Sequence, residues 1–128
     1  MPTTGRPSKD CREKPEARMA ERWTGTSLRP HVKAHKTPEI ARRQLAAGGC
    51  IGLTCATVGE AEWVADLCDD LLIANELIGP GTCERAARLA GRLRQRAGER
   101  TGANGGEHGE ESGIVTVAVD SMAGARAL

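Results

Sequence analysis

Aromatic side chains are nearly absent from this chain of 128 residues, which contains two Trp and neither Phe nor Tyr. Aromatic rings supply much of the buried area of most protein cores, so any core here must consist of Ala, Val, Leu and Ile. A self-sufficient domain of this length is rarely so poor in large side chains. We therefore expect the chain to be one part of a larger fold.

The chain also lacks an excess of charge of either sign and any long apolar run. Its 18 Lys and Arg residues against 17 Asp and Glu residues give a net charge of +1, which excludes a general electrostatic field for nucleic acid. No stretch approaches the ~18 apolar residues of a membrane span, and the first residues include no apolar segment typical of a secretory signal. We expect a cytoplasmic protein that binds neither nucleic acid nor membrane.

The five cysteines are odd in number and show no C-x-x-C spacing. This pattern excludes a zinc ribbon and argues against a framework of disulfide bonds. The cysteines are instead expected to be reduced, small apolar residues. Nor does a G-x-G-x-x-G run follow any predicted strand, which disfavours a dinucleotide-binding unit.

Strand-like and helix-like segments alternate along most of the chain. Residues 1–16 are polar and carry three prolines, so we expect disorder there, followed by a short helix within Ala17–Trp23. Residues 98–113 are rich in glycine and are expected to form a flexible loop. The four predicted strands are Leu28–Lys33, Cys50–Ala56, Leu71–Ala74 and Ile114–Val119.

Capping signals place a helix after each predicted strand. Thr37 precedes Pro38 and Glu39, a combination typical of a helix start, and Gly48 ends that helix. Thr57 followed three residues later by Glu60 forms a capping box. Further helices are predicted from Pro80 onwards and after Ser121. Alternation of this kind predicts a parallel α/β sheet, either open and doubly wound or part of a (β/α)₈ barrel.

The basic residues around Lys33 indicate chemistry. If Leu28–Lys33 is a strand, Arg29, His31 and Lys33 lie on one face, where like charges repel. Neighbouring positive charge disfavours the ammonium form, so we expect a lowered pKa for Lys33. A neutral lysine is a nucleophile that can form a Schiff base with an aldehyde cofactor. A solvated basic edge is the alternative reading of the same pattern.

Four segments, in order, carry a family resemblance: RPHVKAHKTPEIARRQLAAG, GLTCATVGEAE, LLIANELIGP and VTVAVDS. From about Ala17 to Leu128 the chain resembles the D-threonine aldolases and D-serine dehydratases. These are pyridoxal-phosphate enzymes whose N-terminal domain is similar to that of alanine racemase. The resemblance implies about four βα units of a (β/α)₈ barrel, with a cofactor at the carboxyl ends of the strands.

The resemblance also implies roles for individual residues. By position in the motif, Lys33 would form the Schiff base with pyridoxal phosphate, and His31 and Arg29 would line the cofactor side of the same strand. Thr57 and Asn75 lie near later strand ends, where such a barrel collects its cofactor site. For Thr57, capping of a helix is the commoner role of a threonine in that position.

The family pattern continues beyond what this sequence contains. A full barrel needs ~250 residues, and in the family the phosphate-binding strands and the β-domain with the metal ligands come later. We therefore expect a fragment of a lyase for D-β-hydroxy amino acids, with little activity alone and without its divalent-metal ligands. Pairing into a homodimer is an open possibility.

Two alternatives belong to other functional classes. One is a non-catalytic carrier of pyridoxal phosphate with the same barrel. The other is metal binding by His31 and His35, whose i, i+4 spacing suits one helical face. The predicted helix begins after His35, and no second ligand pair has zinc spacing, which argues against a metal site.

Overall fold

The computed structural model describes residues 18, 19, 22, 27–104 and 113–128, with side chains omitted for 101–104. Arg18, Met19 and Arg22 are helical, in agreement with the short helix predicted there. The predicted disordered segment 1–16 lies outside the described residues. The order of elements is α1 (Pro38–Ala46), β1 (Leu53–Cys55), α2 (Val58–Val64), β2 (Asp70–Ile73), α3 (Pro80–Asn104), β3 (Ile114–Val117) and α4 (Met122–Ala127).

The strands form a parallel sheet in the order β1-β2-β3. Leu53 is opposite Leu71, and Leu71 is opposite Val115, so each strand pairs with its neighbour in chain order. The predicted parallel α/β architecture is therefore confirmed. Among the described residues the sheet is open, and no strand lies beyond the outer edge of β3.

The first predicted strand is shorter than expected. Leu28 and His31 form isolated parallel bridges with Cys50 and Thr54, so this segment runs beside β1. Regular pairing ends at His31, and a 3₁₀ helix follows at Val32–Ala34. The placement of Lys33 on a strand was therefore wrong: Lys33 lies in the 3₁₀ helix, and the alternation of faces does not extend to it. The backbone tightens here because the amide of Lys36 bonds back to the carbonyl of Val32 at 2.8 Å.

Capping residues begin the helices as predicted, with one difference. The Thr57 hydroxyl accepts a hydrogen bond from the Glu60 amide at 3.1 Å, and the Ser121 hydroxyl caps α4 in the same way. Thr37 is the N-cap residue of α1, but its hydroxyl donates to the carbonyl of His35 instead. Pro38 still sets the first helical residue, because its fixed φ suits that position.

Helix α3 continues further than the sequence indicated. It extends through Asn104, so residues 98–104 of the predicted glycine-rich loop are helical. Residues 105–112 of that loop lie outside the described residues. Ala86, Leu89, Leu93 and Ala97 recur at helical spacing and are buried, which holds α3 against the sheet.

The core is aliphatic, as the composition predicted. Its largest fully buried side chains come from the strands and from α2, α3 and the 3₁₀ helix: Leu53, Leu71, Ile73, Leu93, Val32, Val64 and Cys55. Trp63, the single aromatic side chain that the structure describes, is 46% exposed. Small and branched side chains thus fill the space between sheet and helices without any aromatic ring.

Arginines on α3 attach this helix to the preceding βα unit. Arg96 donates to the carbonyl oxygens of Ala65 and Cys68 and to the carboxylates of Asp66 and Asp69. Because main-chain carbonyls and charged groups are both satisfied by one guanidinium, Arg96 fixes the turn between α2 and β2 against α3. No helix among the described residues is long and apolar enough to cross a membrane.

Candidate functional site

The 3₁₀ helix presents Lys33 at the carboxyl edge of the sheet. It follows directly after His31, the last residue that pairs with β1, so the chain leaves the sheet at this point. The Lys33 side chain is exposed and makes no hydrogen bond or ion pair with the residues that the structure describes. An amine at this edge, free of a fixed partner, is available to react with a small molecule.

His31 is connected to Lys33 by a hydrogen bond between its ring and the Lys33 backbone amide. Its Nδ1 accepts a hydrogen bond from the Lys33 amide at 3.3 Å, which in the neutral ring leaves the proton on Nε2. The pKa of His31 is lowered, first because partial burial disfavours the charged ring and second because the Lys33 ammonium is near. The Glu60 carboxylate opposes this shift. His31 and Lys33 therefore share one electrostatic environment.

His35 is fully engaged by its neighbours. Its Nδ1 accepts a hydrogen bond from the Thr37 amide at 3.1 Å, and its Nε2 lies 3.1 Å from the side-chain oxygen of Gln44. These partners assign the neutral ring with the proton on Nε2. Neither nitrogen is available to a metal in this arrangement. Among residues 27–104 and 113–128 no group of three or more His, Cys, Asp or Glu side chains could hold a metal ion.

Glu60 belongs to this edge and was overlooked as a site residue in the sequence. One carboxylate oxygen accepts a hydrogen bond from the Ala56 amide at 2.8 Å, and the other lies 3.5 Å from the Lys36 ammonium. The side chain is only 14% exposed. The capping-box pattern identified Glu60 as a helix-start residue, but its contact with Lys36 depends on tertiary structure.

Thr57 and Asn75 occupy the predicted edge of the sheet without contacting Lys33. Thr57 follows β1 and its hydroxyl is used as the N-cap of α2. Asn75 follows β2 in an exposed loop, two residues after Ile73. Because parallel strands all point the same way, their carboxyl ends lie together, and both residues therefore lie at the same end of the strands as Lys33. Their predicted roles in cofactor binding remain predictions.

The Arg29 side chain points toward the amino ends of the strands, away from the carboxyl ends where Lys33 lies. Its guanidinium forms two hydrogen bonds with the Asp70 carboxylate, at 3.1 and 2.7 Å, and the pKa of Arg29 is raised mainly by this bonding. Asp70 is the first residue of β2, so the pair lies toward the amino ends of the strands. The predicted role of Arg29 in cofactor binding likewise stays a prediction.

A cavity of about 380 Å³ opens at the carboxyl edge between the loops that follow β2 and β3. Glu76, Gly79, Asp120 and Ser121 contribute to its wall. Lys33, His31, Thr57 and Asn75 are not among the residues that line it. The cavity and Lys33 thus share an edge of the sheet but do not form one enclosed site within the described residues.

Comparison with known proteins gives sequence relatives for about half of the chain. No family model matches the sequence. The chain is 49% identical over 65 residues to a D-threonine aldolase of Arthrobacter sp, and 38% identical over 66 residues to a 3-hydroxy-D-aspartate aldolase of Paracoccus denitrificans. Over this half, the chain is a homologue of these aldolases. The resemblance noted in the sequence is thereby confirmed.

The aldolase fold extends over most of the described structure. The crystal structure of D-threonine aldolase from Filomicrobium marinum matches 88% of this chain with a TM-score of 0.66 and 31% sequence identity. The match covers 25% of that aldolase chain, and the matched segments cover 17% of each curated relative. The chain therefore spans about a sixth of the length of the curated aldolases that it matches.

Proposed function

We propose that this chain is the cofactor-lysine portion of a pyridoxal-phosphate-dependent lyase that acts on D-β-hydroxy amino acids. The observation that carries the proposal is the position of Lys33: exposed and unpaired among the described residues, directly after a segment that pairs with β1. Homology to aldolases named for D-threonine and 3-hydroxy-D-aspartate supports the class of substrate.

The described residues fit an aldehyde cofactor at one point. The Lys33 amine would hold the cofactor covalently, with His31 beside it, while Thr57 and Asn75 would complete the wall of the site at the same edge. When bound, pyridoxal phosphate supplies an electron sink for bond breaking at the substrate's α-carbon. His31 contributes a ring that stays neutral to lower pH than usual, because the pKa of His31 is lowered.

The open sheet supports a corresponding proposal for the fold. The segment beside β1, followed by β1, β2 and β3, supplies four parallel positions with helices between them. We infer that these are four βα units of a (β/α)₈ barrel, and that the chain works as a fragment of that barrel with little turnover alone. A divalent metal and pairing of two chains belong to the same proposal, as properties expected of the whole enzyme.

Covalent labelling tests the role of Lys33. The full chain is incubated with pyridoxal phosphate, reduced with borohydride and mapped by peptide mass spectrometry. The sequence contains four lysines, Lys9, Lys14, Lys33 and Lys36, so each can be followed separately. We expect the label on Lys33, and its loss in Lys33→Arg but not in the control Lys14→Arg. Equal labelling of all four lysines would overturn the proposal.

Turnover then separates a lyase from a carrier. Chain incubated with pyridoxal phosphate but not reduced with borohydride is supplied with D-threonine, D-serine or 3-hydroxy-D-aspartate and a divalent metal, and the carbonyl product is measured. Slow formation of product that requires Lys33 supports the lyase. Specific labelling of Lys33 with no product from any of the three substrates supports a pyridoxal-phosphate carrier and contradicts the proposed activity of this chain.

A further inference from the structure

Glu60 is held by two hydrogen bonds, one from its backbone amide and one to its carboxylate. Its backbone amide donates to the Thr57 hydroxyl at 3.1 Å, which sets Glu60 in the first turn of α2. Its side chain then turns back and accepts from the Ala56 amide at 2.8 Å. With 14% of the side chain exposed, the carboxylate has little freedom to move. A charged group held in this way can act as an anchor for a neighbouring segment.

The segment that it anchors is the turn that carries Lys33. The Lys36 ammonium lies 3.5 Å from the second Glu60 oxygen. Lys36 also closes the turn, because its backbone amide donates a hydrogen bond to the Val32 carbonyl oxygen at 2.8 Å. Lys36 has a φ of 47°, and it is the one non-glycine residue with positive φ among those that the structure describes. This conformation costs ~1 kcal/mol or more for a residue with a Cβ atom, so other contacts must hold it.

The same carboxylate acts on the group beside Lys33. Glu60 raises the pKa of His31, against the larger lowering effects of burial and of Lys33. The Glu60 charge therefore reaches the His31–Lys33 pair as well as Lys36. Contact, backbone geometry and electrostatics all connect α2 to the turn at Val32–Lys36.

We propose that Glu60 is a positioning residue for Lys33: its carboxylate clamps the turn at Val32–Lys36 onto α2 and thereby holds the Lys33 amine at the carboxyl edge of the sheet. The inference rests on the proposed function of Lys33 as the cofactor-binding residue. It assigns to Glu60 a role beyond the helix capping that the sequence pattern indicated, and it gives Lys36 a role that the sequence pattern did not indicate. Loss of the clamp should weaken cofactor binding without removing the reactive amine.

The test compares Glu60→Gln with Glu62→Gln. The first variant keeps an oxygen for the Ala56 amide and removes the charge next to Lys36, whereas Glu62 lies on the same helix and pairs with Arg85 on α3. We expect pyridoxal phosphate to bind Lys33 about fivefold more weakly in Glu60→Gln, and within about twofold of the parent chain in Glu62→Gln. Lys36→Met should weaken binding to the same extent, and adding Glu60→Gln to it should cause no further loss.

Two readouts do not depend on the cofactor. In Glu60→Gln the midpoint of the NMR titration of His31 should move to lower pH, and the backbone amides of Lys33, His35 and Lys36 should exchange faster with solvent. Glu62→Gln should change neither. A His31 titration and amide exchange that are identical in both variants would overturn the clamp. If the parent chain does not bind the cofactor, the proposed function fails, and the same two readouts still decide whether the clamp exists.

Discussion

Arg29 and Asp70 form a bidentate ion pair that spans the stretch at residues 50–54, which lies between them in the sheet. Arg29 is in the segment that pairs with residues 50–54, and Asp70 begins β2 on the far side of that stretch. By continuation of the register, Gly52 stands opposite Asp70. A side chain at Gly52 would collide with the carbonyl oxygen of Asp70 and approach its Cβ atom to 2.9 Å. The pair and the glycine together set how closely these segments pack.

Gly52→Ala should destabilise the chain. The added methyl group has no space beside Asp70, so the two strands must separate, and we expect the free energy of unfolding to fall by ~2 kcal/mol or more. Gly91→Ala is the matched control, because a Cβ at Gly91 meets no atom within 4 Å and alanine favours the helix interior. That variant should gain ~0.5–1 kcal/mol. Urea unfolding measures both, and equal effects would contradict the close packing at Gly52.

Arg96→Met should loosen the attachment of α3. The Arg96 side chain is 29% exposed and donates hydrogen bonds to two carbonyls and two carboxylates, and all of these bonds are lost in the variant, although Asp69 keeps its ion pair with Arg100. We expect a loss of ~2 kcal/mol in the free energy of unfolding. Arg94→Met changes an exposed arginine one half-turn away and should cost less than ~0.5 kcal/mol. Equal losses in the free energy of unfolding for the two variants would show that Arg96 has no special role in attaching α3.

His31→Asn should change how stability depends on pH. The folded chain holds the pKa of His31 below its ordinary 6.5, so the unfolded chain binds the proton more tightly. Stability from this residue is therefore present above 6.5 and is lost as the pH falls from there through the lowered value. Asparagine retains an oxygen that can accept from the Lys33 amide but does not titrate. The difference in unfolding free energy, parent minus variant, should decrease on acidification, whereas a constant difference would refute the shift.

Thr57→Ala separates a cap from a cofactor ligand. Removing the hydroxyl leaves the Glu60 amide without its acceptor, and we expect a loss of ~1 kcal/mol in stability. Thr57→Ser retains the acceptor and should restore most of that stability. If Thr57 acts only as a cap, both variants should bind pyridoxal phosphate at Lys33 with the affinity of the parent chain once they are folded. Weaker binding by the folded Thr57→Ala variant, with the affinity of the parent chain in Thr57→Ser, would instead support the predicted cofactor role of the hydroxyl.

Local signals in the sequence predicted most of the regular elements. Pro38 and Thr57 mark helix starts that the structure retains, because their effects depend on backbone groups within one turn. Glycine content misled the prediction at residues 98–104, where α3 continues. Leu93 and Ala97 are buried directly before that part, and a helix already held there by packing can continue despite the modest helix penalty of glycine.

Only part of the candidate site could be predicted from the sequence. Lys33 was identified by its motif, but its 3₁₀ conformation arises from hydrogen bonds back to Val32, which strand alternation does not anticipate. The partners of Arg29 and Lys36 are distant in sequence: Asp70 and Glu60 approach them only once strands and helices have packed. The spacing of residues in the sequence predicts one helix or strand at a time. It therefore could not predict these ion pairs, which join different elements.

The order of the strands has a consequence for how the chain acquires its structure. Each strand pairs with the one that precedes it in the chain. Helix α2 packs on both β1 and β2, and α3 packs on β3. The amino-terminal strands can therefore form before the later ones have left the ribosome, since no early strand waits for a distant partner. Growth of the sheet in the direction of synthesis would let each new strand cover the edge of the strand before it as soon as it forms.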